Sequence, residues 1–190
     1  MTQDHDQVTL LGRAGWRWTT APASPPLITA DGLSWACAPR TDFWRITEGL
    51  ESKHDGQALL LPQGGNFGLE ATFEAALDAQ YDQIGFLVEA DEERWLKLGI
   101  ELDGRPWLSA VHTDGASDWS REPHEGLPVT LRVERQDGTI TSSVKHDGNW
   151  RAFRIVHLIG SLRVGVYSCA PQGPGFTGRV YNAHWDDALR

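Results

Sequence analysis

Trp95, Lys97 and Glu101 stand at even spacing in the segment Arg94-Trp-Leu-Lys-Leu-Gly-Ile-Glu-Leu-Asp103. In an extended strand, side chains two apart share a face, so these three and Gly99 lie together while Leu96, Leu98, Ile100 and Leu102 take the opposite side. The aliphatic side must be core. The other side offers an aromatic ring, a cation, a gap and a carboxylate, which suits a sugar whose C–H face stacks on a ring while its hydroxyls take directional hydrogen bonds. Gln83 joins them from the preceding strand, where Ile84, Phe86 and Val88 form one face and Tyr81, Gln83 and Gly85 the other. Asp118 and Trp119, from the loop after a strand over 107–113, and Tyr167, out of phase with Val164 and Val166, complete the expected ligand-binding set. Lys97 and Glu101 do not pair easily with each other, being about 13 Å apart at Cα. A network of contacts to adjacent strands is the plainer account of the same residues.

Other chemistries find less support. His5, His54, His112, His124, His146, His157 and His184 are scattered, none at the short spacings of a shared metal ion, and no serine sits in a nucleophile-elbow pattern. No run supplies oxygen ligands at alternate positions as a calcium loop does, so neither metal nor cofactor is expected. Cys37 and Cys169 lie far apart without paired spacing and read as reduced thiols, a bridge between them being left open. Arg132 and Arg154 fall on the polar phase of otherwise aliphatic strands, where Glu70, Glu74 or Asp82 would pair with them.

The elements that carry these residues are strands. Runs over 33–38, 43–48, 57–62, 67–75, 82–90, 94–102, 107–113, 129–135, 140–146, 150–158, 161–169 and 176–185 are punctuated by Asp-Gly turns at 55–56, 103–104, 114–115, 137–138 and 147–148. The two strands around Asp91-Glu92-Glu93 should pair as a hairpin. Gly68 to Gln80 also fits helical spacing, but its surroundings favour a strand. About a dozen short strands make the chain an all-β protein, a two-sheet antiparallel β-sandwich or a barrel.

Composition bounds the rest. At 190 residues the chain forms one domain, 1–190, and needs no staple to be stable. Seventeen basic residues against twenty-six acidic give a net charge of −9, which repels phosphate backbones and anionic lipid, so neither nucleic acid nor a membrane is expected as partner. The first residues lack an export signal and the longest plainly apolar run is Ala58 to Leu61, so a soluble, cytoplasmic protein is expected. Nine tryptophans are unusual for this length, and some of these rings should serve a surface, although for any single one a place in the sandwich core is the favoured account.

Thr41-Asp-Phe-Trp-Arg45, Tyr81-Asp-Gln-Ile-Gly85, Trp95-Leu-Lys-Leu-Gly-Ile-Glu101, Ser117-Asp-Trp-Ser120, Leu131-Arg-Val133 and Val164-Gly-Val-Tyr-Ser-Cys-Ala-Pro171 with Gly175-Phe176 occur in an order specific as a set. Together they resemble a domain-of-unknown-function family that includes the regulation-of-enolase proteins and is placed in the concanavalin A-like lectin and glucanase superfamily. The resemblance covers nearly the whole chain. It implies a concanavalin A-like jelly roll with a concave sheet that superfamily members use for saccharides, and brings no known reaction. Glu89-Ala-Asp91-Glu-Glu93 resembles the alternating acids of the superfamily's glucanases, but Asp91 to Glu93 falls at a charged hairpin tip, so a solvated turn is expected and no catalytic residue is assigned. The reading is a non-catalytic, lectin-like domain that holds a saccharide or similar polar small molecule. A sugar-active hydrolase, lyase or epimerase and a regulatory domain with a protein partner are the alternatives, and a homo-oligomer is left open.

Overall fold

Each half-buried strand has one apolar face to cover, and the chain covers them by packing two antiparallel sheets against each other. The computed structural model describes residues 7–187. Its strands are β1 (Gln7–Leu10), β2 (Arg13–Trp18), β3 (Leu27–Ile28), β4 (Leu33–Ala36), β5 (Phe43–Trp44), β6 (Lys53–His54), β7 (Gln57–Gln63), β8 (Phe67–Ala75) and β9 (Gln83–Asp91), then β10 (Arg94–Asp103), β11 (Arg105–Asp114), β12 (Ala116–Pro123), β13 (Val129–Gln136), β14 (Thr139–His146), β15 (Asn149–His157), β16 (Leu162–Cys169) and β17 (Thr177–Asp186). An eight-stranded sheet runs β1-β2-β7-β16-β9-β10-β11-β12 and a seven-stranded sheet runs β15-β14-β13-β8-β17-β4-β3. β5 and β6 form a separate small hairpin.

Strand phase decides what the core receives. Leu96, Leu98 and Ile100 of β10 are at most 1% exposed and meet Phe86 and Val88 of β9. Phe86 crosses to Phe73 of the facing sheet with ring centres 4.8 Å apart, and burying each such side chain contributes about 1.5–3 kcal/mol. Segment 67–75 is a strand, as its neighbours require: β8 pairs with β13 and β17. The Asp147-Gly148 turn has positive φ at both residues, 48° and 79°, the geometry that lets two residues close a twisted hairpin.

Two strand expectations are corrected and one pair of strands is added. The strand expected over 43–48 stops at Trp44, because Ile46 and Glu48 turn to φ of 63° and 62° around a 3-10 turn at Thr47–Gly49. The segment after Asp114 is not a loop but strand β12, paired along β11. At the N-terminal end, β1 and β2 extend the eight-stranded sheet, although their sequence lacks clean alternation. Arg132 meets Glu70 at 2.5 Å as expected, whereas Arg154 reaches Asp118, at 3.0 Å, instead of Glu70, Glu74 or Asp82. Cys37 and Cys169 are buried free thiols. No helix of the described residues is long and apolar enough to cross a membrane.

Candidate ligand-binding site

The face of the eight-stranded sheet turned away from the core is divided in two by its own registers. One row across the strands reads Leu87, Lys97, Val111, Trp119, the next Gly85, Gly99, Ser109, Arg121, and the third Gln83, Glu101, Trp107. Beside them Ala58, Leu60, Tyr167 and Cys169 present an apolar surface, and water is kept from it by Phe43 of β5. The Phe43 ring, fully buried, sits edge-on to Trp95 and Tyr167, both 6.1 Å away, and to His54 at 5.0 Å. Laying Phe43 down brings the β5–β6 hairpin over the sheet as a roof. The polar half is left open beneath the roof's edge as a cavity of about 490 Å³, a size typical of small-molecule sites.

Gln83, Lys97, Glu101, Val111 and Trp119 line it from the sheet, and Asp42, Trp44, Lys53, Glu48, Leu50 and Glu51 from the roof. Tyr81, Pro171 and Gln172 close the end. Between Lys97 and Glu101 the floor is bare backbone. A Cβ on Gly99 would collide with the Ile84 carbonyl and one on Gly85 with that of Leu98, so both glycines are required by close strand approach.

Roof and floor are tied by charge. The Lys97 ammonium, on a side chain 4% exposed, lies 3.1 Å from Asp42 Oδ1. Gln83 Nε2 donates to the same oxygen at 3.3 Å and to the Tyr81 carbonyl at 3.2 Å, while the Tyr167 hydroxyl donates to Gln83 Oε1 at 3.3 Å. Burial is the largest influence on the Lys97 pKa and would depress it, but the charges around it, Asp42 foremost and Glu101 among them, together outweigh it and hold the ammonium above the ordinary lysine value. Glu101 sits at the end of a relay: Trp119 Nε1 donates to Ser109 Oγ at 2.9 Å, and Ser109 donates to Glu101 Oε2 at 2.7 Å. Burial raises the Glu101 pKa against the opposing pull of Lys97 and of the Ser109 hydroxyl. Its Oε1 accepts no hydrogen bond among the described residues.

Of the seven residues nominated from sequence, Gln83, Lys97, Glu101 and Trp119 line the cavity. Trp95 and Tyr167 share their face but lie under Phe43, 1% and 2% exposed, so neither ring is a stacking platform. The indole N–H of Trp95 finds no acceptor among the described residues. Asp118 points the other way. As β12 is a strand, Asp118 and Trp119 take opposite faces, and Asp118 pairs with Arg154 across the sandwich edge. Asp91, Glu92 and Glu93 are exposed at the hairpin tip as expected, but Glu89 is fully buried, 2.8 Å from His54 Nε2 and 2.5 Å from the Arg163 guanidinium. Sequence reasoning missed Asp42, Trp44, Lys53, Tyr81 and Ser109 as site residues. Ser109 had a signal, the polar phase of its strand, and Asp42 and Trp44 stood in one of the segments that carry the family resemblance, Trp44 within the strand expected over 43–48, with nothing to place either beside the sheet.

The chain matches the family described as protein of unknown function (DUF1349) over residues 18–187. It is 34% identical over 152 residues to "Regulation of enolase protein 1" of Saccharomyces cerevisiae, covering 77% of this chain and 76% of that one. A solved structure titled as a functionally unknown protein from Saccharomyces cerevisiae superposes with a TM-score of 0.87 at 29% identity, over 96% of this chain and all of the other. The same sandwich recurs in an alginate lyase from Klebsiella pneumoniae, with a TM-score of 0.56 at 13% identity over 86% of this chain and 84% of that one. It recurs too in a xylan beta-1,4-xylosidase from Bacillus halodurans, with a TM-score of 0.65 at 16% identity, where 82% of this chain covers 33% of the enzyme. A match over nearly all the described residues, together with a relative at this identity and coverage, makes the chain a member of the DUF1349 family.

Proposed function

We propose that this protein binds a saccharide or similar polar small molecule, without transforming it, in the cavity between the eight-stranded sheet and the β5–β6 roof. The observation that carries the reading is the floor: amide, ammonium and carboxylate groups held by sheet registers, beside Trp44 and Trp119. Such a floor is rigid, so its hydrogen-bonding groups need little ordering when a ligand arrives. The fold neighbour named as an alginate lyase favours a saccharide as the ligand class, and, being named for catalysis, does not bear on whether the ligand is transformed. Isothermal titration against a panel of mono- and oligosaccharides tests it. Binding in the millimolar range or tighter, weakened about tenfold or more by Trp119→Ala, is the expected result. A panel without binding, or binding that Trp119→Ala leaves unchanged, rejects it.

A catalytic reading is favoured by one feature, the Glu101 carboxyl held buried with its pKa raised opposite Asp42, because separated carboxyl environments are how sugar-active sites divide acid and base. Turnover of nitrophenyl glycosides, abolished by Glu101→Gln, is the result that would replace the binding reading with this one.

A further inference from the structure

The charges around the cavity do not cancel, and the imbalance has a sign. Lys97 is tied to Asp42 at 3.1 Å, and Lys53 donates to the Arg40 carbonyl at 2.8 Å. Arg121, whose charge also reaches Glu101, is engaged by Asp103 at 2.5 Å and stacked between Trp107 and Trp119, each 4.4 Å from its guanidinium carbon. Glu48 and Glu51 on the rim have no cationic partner among the described residues. Glu101 is 7% exposed, its Oε2 fixed by Ser109 and its Oε1 left without a donor. Three carboxyl groups therefore face this space without a contacting cation, against one ammonium, that of Lys53, which a neutral carbonyl holds but does not discharge, so the excess is negative. The two tryptophans and Tyr81 add rings whose faces attract cations and offer nothing to anions.

We infer that the cavity selects a ligand bearing a protonated amine, of the amino-sugar class, whose ammonium group is received by Glu101 Oε1 inside the ring of acidic rim residues. The inference rests on the polar-ligand reading above and narrows it. A neutral sugar offers Oε1 a hydroxyl, and an ammonium offers it a charge-assisted hydrogen bond about twice as strong. A uronic acid brings a like charge to a carboxylate with little water around it. The net charge of −9 attracts the same ligand from a distance.

Titration of the full chain at pH 7 and low ionic strength with glucosamine, glucose, N-acetylglucosamine and glucuronate separates the outcomes. Glucosamine is expected to bind at least roughly tenfold more tightly than glucose or N-acetylglucosamine, and glucuronate most weakly. The N-acetyl sugar keeps the nitrogen and removes its charge, so wild-type protein alone decides whether charge is what is read. Glu101→Gln, a neutral substitution of the same shape, is expected to bring glucosamine down to the affinity of glucose. Equal binding of glucose and glucosamine overturns this inference while leaving the polar-ligand reading intact, as does a preference for glucosamine that survives Glu101→Gln. Failure of all four sugars to bind overturns both.

Discussion

Removing the Asp42 carboxylate strands the ammonium of Lys97, and the cost follows from unequal burial of the two partners. The Lys97 side chain is 4% exposed and that of Asp42 19%. Asp42→Asn leaves a charge almost without water, and breaking a buried pair in this way costs roughly 3–5 kcal/mol. Water in the adjoining cavity places this case at about 3. Lys97→Met instead leaves a carboxylate that water reaches and that still accepts from the Phe43 N–H at 2.8 Å and the Gln83 amide at 3.3 Å, so its cost is about 1 kcal/mol. The double substitution strands nothing and should return to within about 1 kcal/mol of the wild type. For a domain of this size 1 kcal/mol moves Tm by roughly 2–4 °C, giving losses of about 6–12 °C for Asp42→Asn and about 2–4 °C for Lys97→Met. Urea unfolding followed by tryptophan fluorescence supplies the free energies for the cycle. In the wild type the Lys97 pKa is raised by Asp42 against its burial, so the stability it contributes is fully present below the unfolded value of 10.5 and is lost as pH rises through the folded one. Without Asp42 burial is opposed chiefly by Glu101, the folded pKa falls, and the deficit of Asp42→Asn should shrink as the solution becomes alkaline. Equal losses from the two single substitutions, or a double variant whose loss equals their sum, would refute the ion pair as the tie between roof and floor.

Phe43→Ala removes the ring that anchors the roof and should cost about 3–5 kcal/mol in urea unfolding; a loss under 1 kcal/mol would mean the hairpin is held by its other contacts. Burial raises the Glu101 pKa, so its stabilising contribution is present below about pH 4.5 and lost as pH rises through the folded value. Glu101→Gln should therefore match or exceed the wild type at pH 7, by roughly 1 kcal/mol, and lose that advantage below pH 4.5; a variant much less stable at pH 7 refutes this. Burial pushes the Cys37 thiol up to about 11 and raises the Cys169 thiol well above its ordinary value, so neither should react with a disulfide reagent at pH 8 until the chain unfolds; rapid labelling of native protein is the contrary result. Asp118→Ala should cost at most about 1 kcal/mol and leave ligand affinity unchanged, since its bridge to Arg154 is exposed; a change in affinity would place Asp118 back in the site.

Strand phase made the fold readable. In β10 the aliphatic positions at 96, 98 and 100 and the polar ones at 97, 99 and 101 separate as period two requires, and the adjacent hairpin follows from the acidic turn at 91–93. The same reasoning failed at Asp118 because it depended on reading the segment after 107–113 as a loop. Once β12 continues past the Asp114-Gly115 turn, neighbours in sequence must part, and only Trp119 stays with Val111 and Lys97. The roof was less accessible still. Phe43-Trp44 is too short a run to read as more than a strand fragment, and its role comes from contacts to residues far along the chain, Trp95 and Tyr167 among them.

Phase tells which side a residue takes and not whether that side is wet. Trp95 and Lys97 were placed on the outward face correctly, yet both are buried there, because Leu87 and Val111 flank Lys97 on the adjacent strands and Leu60 and Tyr167 continue the apolar surface on the strands beyond β9. An outward face so rich in apolar groups cannot be left to water, and only a segment from outside the sheet can cover it. A charged residue caught beneath such a cover persists only where the cover itself supplies the opposite charge. Asp42, next to the Phe43 that does the covering, meets that condition for Lys97. Glu101 has no such partner in the roof, and it is there, where the cover ends, that the cavity opens. The residues that hold the roof in place and the residues left free for a ligand are thus sorted by one criterion, whether the chain provides its own counter-charge.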